Sequence, residues 1–225
     1  MLWLECKVYQ SIWMKSIDNE YIQIVWCDVD ALDFFLLTEW DGKGFKPLGY
    51  FSRDRKTLEP NNLACFCVFP CYQNGGYGRF LIDFSYIVSR IMKLPGGPEL
   101  PFTTSGELVY RSYWKRNVLF ALYEQIEDQK IYPTVNFLVS RLAMRKEDII
   151  QTLNALFKKK WRYKGKINID RDLLIDWTRY EVEKDKKRIY PSVVNINPQY
   201  IEELMKCKAK YDKMKEMKKI KKKDK

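Results

Sequence analysis

Short apolar runs alternate with turn residues up to about residue 76, and beyond that point apolar positions recur at helical spacing. The segments "YIQIVW" from Tyr21, "DFFLLTEW" from Asp33 and "KPLGYFSRD" from Lys46 have the length and the β-branched or aromatic content of strands. Between the last two, "WDGKGF", Trp40 to Phe45, predicts a hairpin. "NNLACFCVFP", Asn61 to Pro70, is apolar without alternation, which predicts a strand covered on both faces and central in its sheet. Phe80, Leu81, Phe84, Ile87, Val88 and Ile91 then follow the i, i+1, i+4, i+7, i+8, i+11 pattern of an amphipathic helix packed on that sheet. "LPGGPELP", Leu94 to Pro101, interrupts helix and strand alike and reads as a rigid loop. "GELVYRSYWKRNVLFALYEQIE" resumes as strand or helix, then helix.

From about Tyr132 the texture changes. "TVNFLVSRLAMRKEDIIQTLNALFKKKWRYKGKINID" gives a short helix, a turn at "MRKED", a second helix and a strand-like end, the outline of a helix-turn-helix with a wing. The expected fold is therefore α/β (α+β): a mixed, mainly antiparallel sheet, flanking helices and a helical, winged-helix-like C-terminal segment. We expect a core over residues 1–130, the winged-helix-like segment over 131–203 and a Lys-rich tail over 204–225.

The net charge of +11 changes the picture less than its size suggests, because it is unevenly spread. Residues 204–225 hold eleven Lys against three acids, which leaves only about +3 for the rest. Such a tail reads either as a solvated terminus or as a weak contact for nucleic acid or an import receptor. No run reaches the roughly 18 apolar residues of a membrane span, and the first residues lack a signal-peptide layout, so no membrane partner is expected. Six cysteines without a disulfide-scaffold density are expected to be reduced thiols. Cys65, Cys67 and Cys71 do not have zinc-ligand spacing, so no metal is expected. The chain has no histidine, which excludes imidazole acid-base chemistry, histidine-containing triads and His-ligated metals.

The candidate chemistry lies in "CVFPCYQNGGYGRFLIDFSY", where glycines separate a strand from a helix. That arrangement holds phosphate on backbone N–H groups and on the positive end of a helix dipole. The dinucleotide fingerprint fails because Leu81 stands where it needs glycine, and the Gly-Lys-Ser/Thr ending of a P-loop is absent. What remains is Gln73-x-x-Gly76-x-Gly78, the Q-x-x-G-x-G pattern with which acetyltransferases wrap the pyrophosphate of acetyl-CoA.

The runs "DVDALDFFLLTEWDGKGFKPLGYFSRDR", "NNLACFCVFPCYQNGGYGRFLIDFSY" and "YRSYWKR" resemble, in order and spacing, the catalytic domain of the MYST family of histone acetyltransferases. The resemblance continues through "RKEDIIQTLNAL" and "YKGK" and covers most of residues 8–200. It implies that Cys65 occupies the active-site cysteine position and that Glu99, 34 residues on, occupies that of the catalytic carboxylate. It also implies that Phe66, Cys67 and Val68 meet the pantetheine arm and the acetyl group, while Asn74, Gly75, Gly76, Tyr77, Gly78 and Arg79 cradle the pyrophosphate. Thr103 and Ser112 match two further cofactor contacts, and "KDKKR", 184–188, offers several candidates for a basic residue at the nucleotide.

The residue types suit the chemistry. A lysine with a pKa near ~10.4 is an unprotonated nucleophile only about one time in a thousand at neutral pH, and a carboxylate in a partly dry pocket can take its proton. Backbone N–H groups can hold the developing oxyanion. Cys65 either accepts the acetyl group transiently or lines the pocket, with direct attack assisted by Glu99 as the favoured route.

Three departures from the family qualify these expectations. The chain starts too late for the family's N-terminal zinc finger, so the nucleosome-targeting parts are expected to be missing, supplied by an accessory subunit, or cut from this sequence. Gln23 aligns with the lysine that the family autoacetylates and reads either as a permanent mimic of acetyl-lysine or as drift. Asn74-Gly75 replaces a basic pair, which should weaken the hold on pyrophosphate modestly. The leading expectation is a nuclear enzyme that transfers acetyl from acetyl-CoA to a histone-tail lysine on the nucleosome. The alternatives are a non-histone acceptor and a catalytically weakened scaffold subunit of a chromatin complex.

Overall fold

A computed structural model of the chain describes residues 8–15, 21–29, 32–55, 61–101, 103–128, 130–158, 160–163, 165–184, 194–196 and 198–223. The strands are β1 (Val8–Lys15), β2 (Tyr21–Val29), β3 (Leu32–Trp40), β4 (Phe45–Asp54), β5 (Asn61–Leu63) and β6 (Phe66–Val68). Helix α1 (Tyr77–Met92) follows, then β7 (Gly97–Pro98), α2 (Thr104–Tyr123), α3 (Val135–Leu142) and α4 (Lys146–Phe157). The chain continues through β8 (Arg162–Tyr163), β9 (Lys166–Ile167), α5 (Arg171–Lys184), β10 (Val194–Asn195) and α6 (Pro198–Lys223).

The main sheet has the order β10-β1-β2-β3-β4-β6 and is antiparallel throughout, while β5 and β7 form a separate parallel pair. The protein is thus the expected mixed α/β fold with a mainly antiparallel sheet. The β3–β4 hairpin closes at Asp41, whose carboxylate accepts from the Lys43 and Gly44 N–H groups at 2.9 and 2.8 Å, with Gly42 at φ +88°. Those bonds hold the Asp41 carboxyl below its usual range.

Helix α1 is buried on nearly every side from Phe80 to Ser89 because it lies between two layers. On one side Phe84 meets Phe35 and Phe51 of the sheet, with ring centroids at 5.8 and 6.1 Å. On the other, Tyr86 stacks on Tyr113 of α2 at 5.0 Å and accepts from the Trp114 indole N–H at 2.8 Å. Its polar side chains are matched: Ser85 and Ser89 donate to backbone carbonyls, and the buried Asp83 accepts from Arg116 of α2 at 3.0 Å.

Two expectations need correction. The run Asn61–Pro70 is not one central strand. It divides at Ala64–Cys65, and its second half, β6, pairs with β4 at the end of the described sheet order. Its apolar character comes from cover by helices: Phe66 meets Tyr110 of α2 edge-on at 6.3 Å, and Val68 touches α1 at Gly78. The loop Leu94–Pro101 is also not wholly irregular, because Gly97–Pro98 pairs in parallel with Asn61–Leu63.

Helices α3 and α4, followed by the β8–β9 hairpin, have the order of a helix-turn-helix with a wing. Thr134 caps α3 by accepting from the Phe137 N–H at 3.1 Å. The Lys-rich stretch lies within α6 as far as Lys223, and this helix buries Tyr200 and Leu204 and half-buries Cys207, Tyr211 and Met214, a stripe at alternating spacings of four and three. No helix among the described residues is long and apolar enough to cross a membrane.

Candidate active site

The division of Asn61–Pro70 is a β-bulge, with Ala64 and Cys65 both opposite Ser52 of β4. The Ala64 N–H donates to the Ser52 carbonyl at 2.7 Å, and the Ser52 N–H donates to the Cys65 carbonyl at 2.8 Å. The Cys65 N–H is left over and finds the Ser52 Oγ at 3.3 Å. A bulge re-aims the side chain that it carries, and Cys65 is an exposed, free thiol.

Glu99 stands one residue beyond β7. Its backbone N–H donates to the Leu63 carbonyl at 2.9 Å, which anchors it beside the strand that leads into Cys65. Two candidate residues 34 apart in sequence are thereby held at the ends of one short parallel pair. The Glu99 side chain is exposed.

Phe66, Cys67 and Val68 form β6. The Cys65 carbonyl and the Phe69 N–H point at β4, so alternation turns the backbone groups of Phe66 and Val68 away from it. Gln73 occupies that outer side, its amide donating to the Val68 carbonyl at 3.1 Å. The first fixed residue of the glycine motif thus ties the turn to β6.

Beyond Gln73, Asn74 sits at φ +64° and Gly76 at φ +88°, and together they turn the chain into α1. A side chain at Gly75 would meet the Tyr77 ring at 2.9 Å. Gly78 lies against Phe66 and Val68, where an added Cβ would touch each at 3.7 Å. The first intrahelical bond runs from the Phe80 N–H to the Gly76 carbonyl, so the Tyr77, Gly78 and Arg79 amides form the first turn of α1, at the positive end of its dipole.

Arg79 leads into a cleft of about 820 Å³ between α1, α2, α4 and α5. Ser112 lines the same cleft, as do Arg111, Lys115, Trp177 and Lys184. Lys184 is the first residue of "KDKKR", and residues 185–188 lie outside the described residues. Thr103 caps α2, its hydroxyl accepting from the Gly106 N–H at 3.1 Å. The candidates therefore fall into two groups. Cys65 and Glu99 sit at the ends of the β5–β7 pair, and Arg79 and Ser112 sit in the cleft. Strand β6 and Gly78 connect the groups by direct contact.

Sequence reasoning missed Lys115 and Trp177. Lys115 pairs with Glu181 at 2.9 Å and lies 5.7 Å from the Trp177 ring centre. Its signal was available, since Arg111 and Lys115 are four apart on one helix and share a face. Gln23 lies in β2 opposite Thr38, and its side chain is outside the described residues. No group of three or more metal-ligating side chains occurs among the described residues.

Comparison with known proteins gives a consistent result. The MOZ/SAS family model matches residues 21–201. The Tip60 homolog of Caenorhabditis elegans, named as a histone acetyltransferase, is 37% identical over 177 residues, 76% of this chain and 38% of that protein. Histone acetyltransferase mst2 of Schizosaccharomyces pombe is 34% identical over 184 residues, 80% of this chain and 44% of its own length. Histone acetyltransferase ESA1 of Gibberella zeae is 34% identical over 172 residues, 76% of this chain and 34% of its own. The chain thus spans less than half the length of these relatives.

Proposed function

The chain belongs to the MOZ/SAS family, and from that premise we propose that it is a protein lysine acetyltransferase that moves acetyl from acetyl-CoA to a histone lysine. The observation that carries the reading is the Glu99 N–H bond to the Leu63 carbonyl, which brings a carboxylate and a thiol to the ends of one strand pair beside a glycine turn. In this reading residues 1–130 are the catalytic core and 131–203 its winged-helix-like continuation. Residues 204–225 are a basic tail in weak contact with nucleic acid. The setting is the nucleus, with histones as substrate and accessory subunits as partners.

The residues present fit acetyl-CoA. The N–H groups of Tyr77, Gly78 and Arg79 suit the pyrophosphate, with Asn74, Gly75 and Gly76 shaping the turn. Arg79, Ser112 and Lys184 line a cleft wide enough for the nucleotide. Phe66, Cys67 and Val68 run between that turn and Cys65, where the pantetheine arm and the acetyl group belong. The family resemblance assigns Thr103, the cap of α2, a further contact with the cofactor. Acetyl-CoA supplies an activated thioester carbonyl.

The Glu99 carboxylate takes a proton from the lysine ammonium, and the freed amine forms the new C–N bond at the carbonyl carbon. Backbone N–H groups on the outer side of β6 hold the negative charge that develops on oxygen. The C–S bond breaks, and the leaving thiolate takes up the second proton that the nitrogen gives up as it becomes an amide. Because Glu99 is exposed, exclusion of water around it falls to the bound substrates. Cys65 lines the acetyl position in this direct route.

The test is mass-spectrometric detection of acetyl-lysine after incubation of the purified chain with acetyl-CoA and core histones. We expect site-specific product, a loss of roughly 100-fold or more in Glu99→Gln, and a smaller loss in Cys65→Ala. The absence of both acetylated product and calorimetric binding of acetyl-CoA would refute the reading.

A further inference from the structure

The segment that carries Glu99 is held from two sides. On one side β7 pairs with β5, Asn61 opposite Gly97 and Leu63 opposite Pro98. On the other, the turn between α3 and α4 forms a third parallel segment. The Gly96 N–H donates to the Ala143 carbonyl at 2.8 Å, and the Arg145 N–H donates to the Gly96 carbonyl at 3.2 Å. One side chain spans all three segments. The Arg145 guanidinium donates to the Asn61 carboxamide oxygen on β5 and, at 3.3 Å, to the Gly97 carbonyl on β7.

Position 97 is built around that crossing. A Cβ there would stand 3.0 Å from Arg145 Nε and 2.7 Å from Asp148 Oδ2, so only glycine lets the guanidinium and the carboxylate lie against the β7 backbone. Asp148 is half-buried, and its negative charge acts on the guanidinium from the next turn of α4.

We propose that Arg145 is a positioning residue for acetyl transfer, clamping β5 to β7 so that Glu99 and Cys65 keep one relative placement. The inference rests on Glu99 being the general base. It makes the turn between α3 and α4 part of the catalytic apparatus, although Arg145 reaches neither substrate. Both bonds leave one terminal nitrogen, whose two N–H directions are fixed by the plane of the guanidinium, whereas an ammonium rotates freely. Its removal leaves β5 and β7 with short backbone pairing alone and lets Glu99 drift. A displacement of about 1 Å at a reacting group is enough to cost roughly 100-fold in rate.

The test combines two readouts on the full chain. Hydrogen exchange reports the Glu99 amide, which is protected by its bond to Leu63, and steady-state kinetics report kcat and KM separately. In Arg145→Met we expect Glu99 amide exchange to rise about tenfold or more while amides in α1 stay protected, the scale of losing a hydrogen bond to a charged group. We expect kcat to fall about 10- to 100-fold with KM for acetyl-CoA unchanged. Arg145→Lys should fall between wild type and Arg145→Met. Asn61→Ala should reproduce the loss without adding to it in the double variant, since the two side chains act as one unit. Arg141→Ala, which removes only an exposed ion pair with Glu124, is the control.

Unchanged Glu99 exchange and kcat within twofold in Arg145→Met overturns the proposal. So does a loss that appears equally in α1, which would mark a general stability role. A wild-type chain that transfers no acetyl refutes the proposed reaction, and Glu99 exchange still decides whether the clamp exists.

Discussion

Gly49→Ala tests whether the close approach of β4 to β6 sets the shape of the acetyl-CoA path. Gly49 pairs with Val68, and a Cβ at residue 49 would lie 2.5 Å from the Cys67 carbonyl oxygen and 3.0 Å from the Val68 Cα. Ordinary contact starts near 3.4 Å, so β6 must retreat by about 1 Å, and the opposing atoms are backbone that no rotamer change can clear. Overpacking of this kind costs about 1–3 kcal/mol, which in a chain of this size lowers Tm by roughly 2–10 °C. The same retreat moves the N–H groups proposed to hold the oxyanion, so kcat should fall by about 10- to 100-fold. Thermal unfolding followed by circular dichroism measures the first effect, and initial rates at saturating acetyl-CoA measure the second. Gly44→Ala serves as control, because a Cβ at that position meets nothing within 4 Å. A Gly49→Ala protein that melts within 1 °C of wild type and keeps its kcat would refute the reasoning.

Three further outcomes follow from the described contacts. Arg116→Met leaves the Asp83 carboxylate buried without its partner and should cost about 3–5 kcal/mol in urea unfolding; adding Asp83→Leu should recover most of that loss, and failure to recover it would mean that the pair does more than neutralise itself. Thr103→Ala removes the cap of α2 and should cost about 1 kcal/mol, whereas Thr103→Ser should not. Burial pushes the Asp148 carboxyl up to about 6, against Arg145, which lowers it, and with Glu147, which raises it further. Because its folded pKa lies above the unfolded one, its contribution is fully present below about pH 4 and is lost as pH rises through 6. Allowing for screening of a partly open group, Asp148→Asn should gain about 1–2 kcal/mol relative to wild type between pH 4 and 7.5, and parallel stability curves would contradict this.

Strand β3 was legible because its two faces are unequally covered. In β3, Asp33, Phe35 and Leu37 are buried, and the residues between them are half-buried. The hairpin was legible because an acidic residue followed by glycine satisfies its own turn. The run Asn61–Pro70 misled because apolar continuity records cover without recording its source. Helices α1 and α2 cover β6, and a run packed under helices reads like one between strands. The segment Gly96–Pro98 carries no strand propensity and is paired only because Asn61–Leu63 presents backbone to Gly97–Pro98 and Ala143–Arg145 presents it to Gly96.

The candidate site divides along the same line. The Gln73–Gly78 turn could be read directly because its chemistry is local: one glycine at positive φ, one against β6, and a glutamine that returns five residues to Val68. The partnership of Cys65 with Glu99 needed the family spacing, since no short-range rule joins a bulge to a loop 34 residues away. Arg145 lay beyond both kinds of reading. It meets Asn61 across 84 positions, and in sequence it is one basic residue in a basic turn ahead of a helix. Its role depends on the absence of a side chain at Gly97, and an absence of that kind gains meaning only once the neighbours are known. Residues that touch substrate tend to sit in local motifs because backbone geometry makes the ligand contacts. Residues that hold those motifs in register come from wherever the chain happens to cross, so the supporting part of a site should in general be the less legible part.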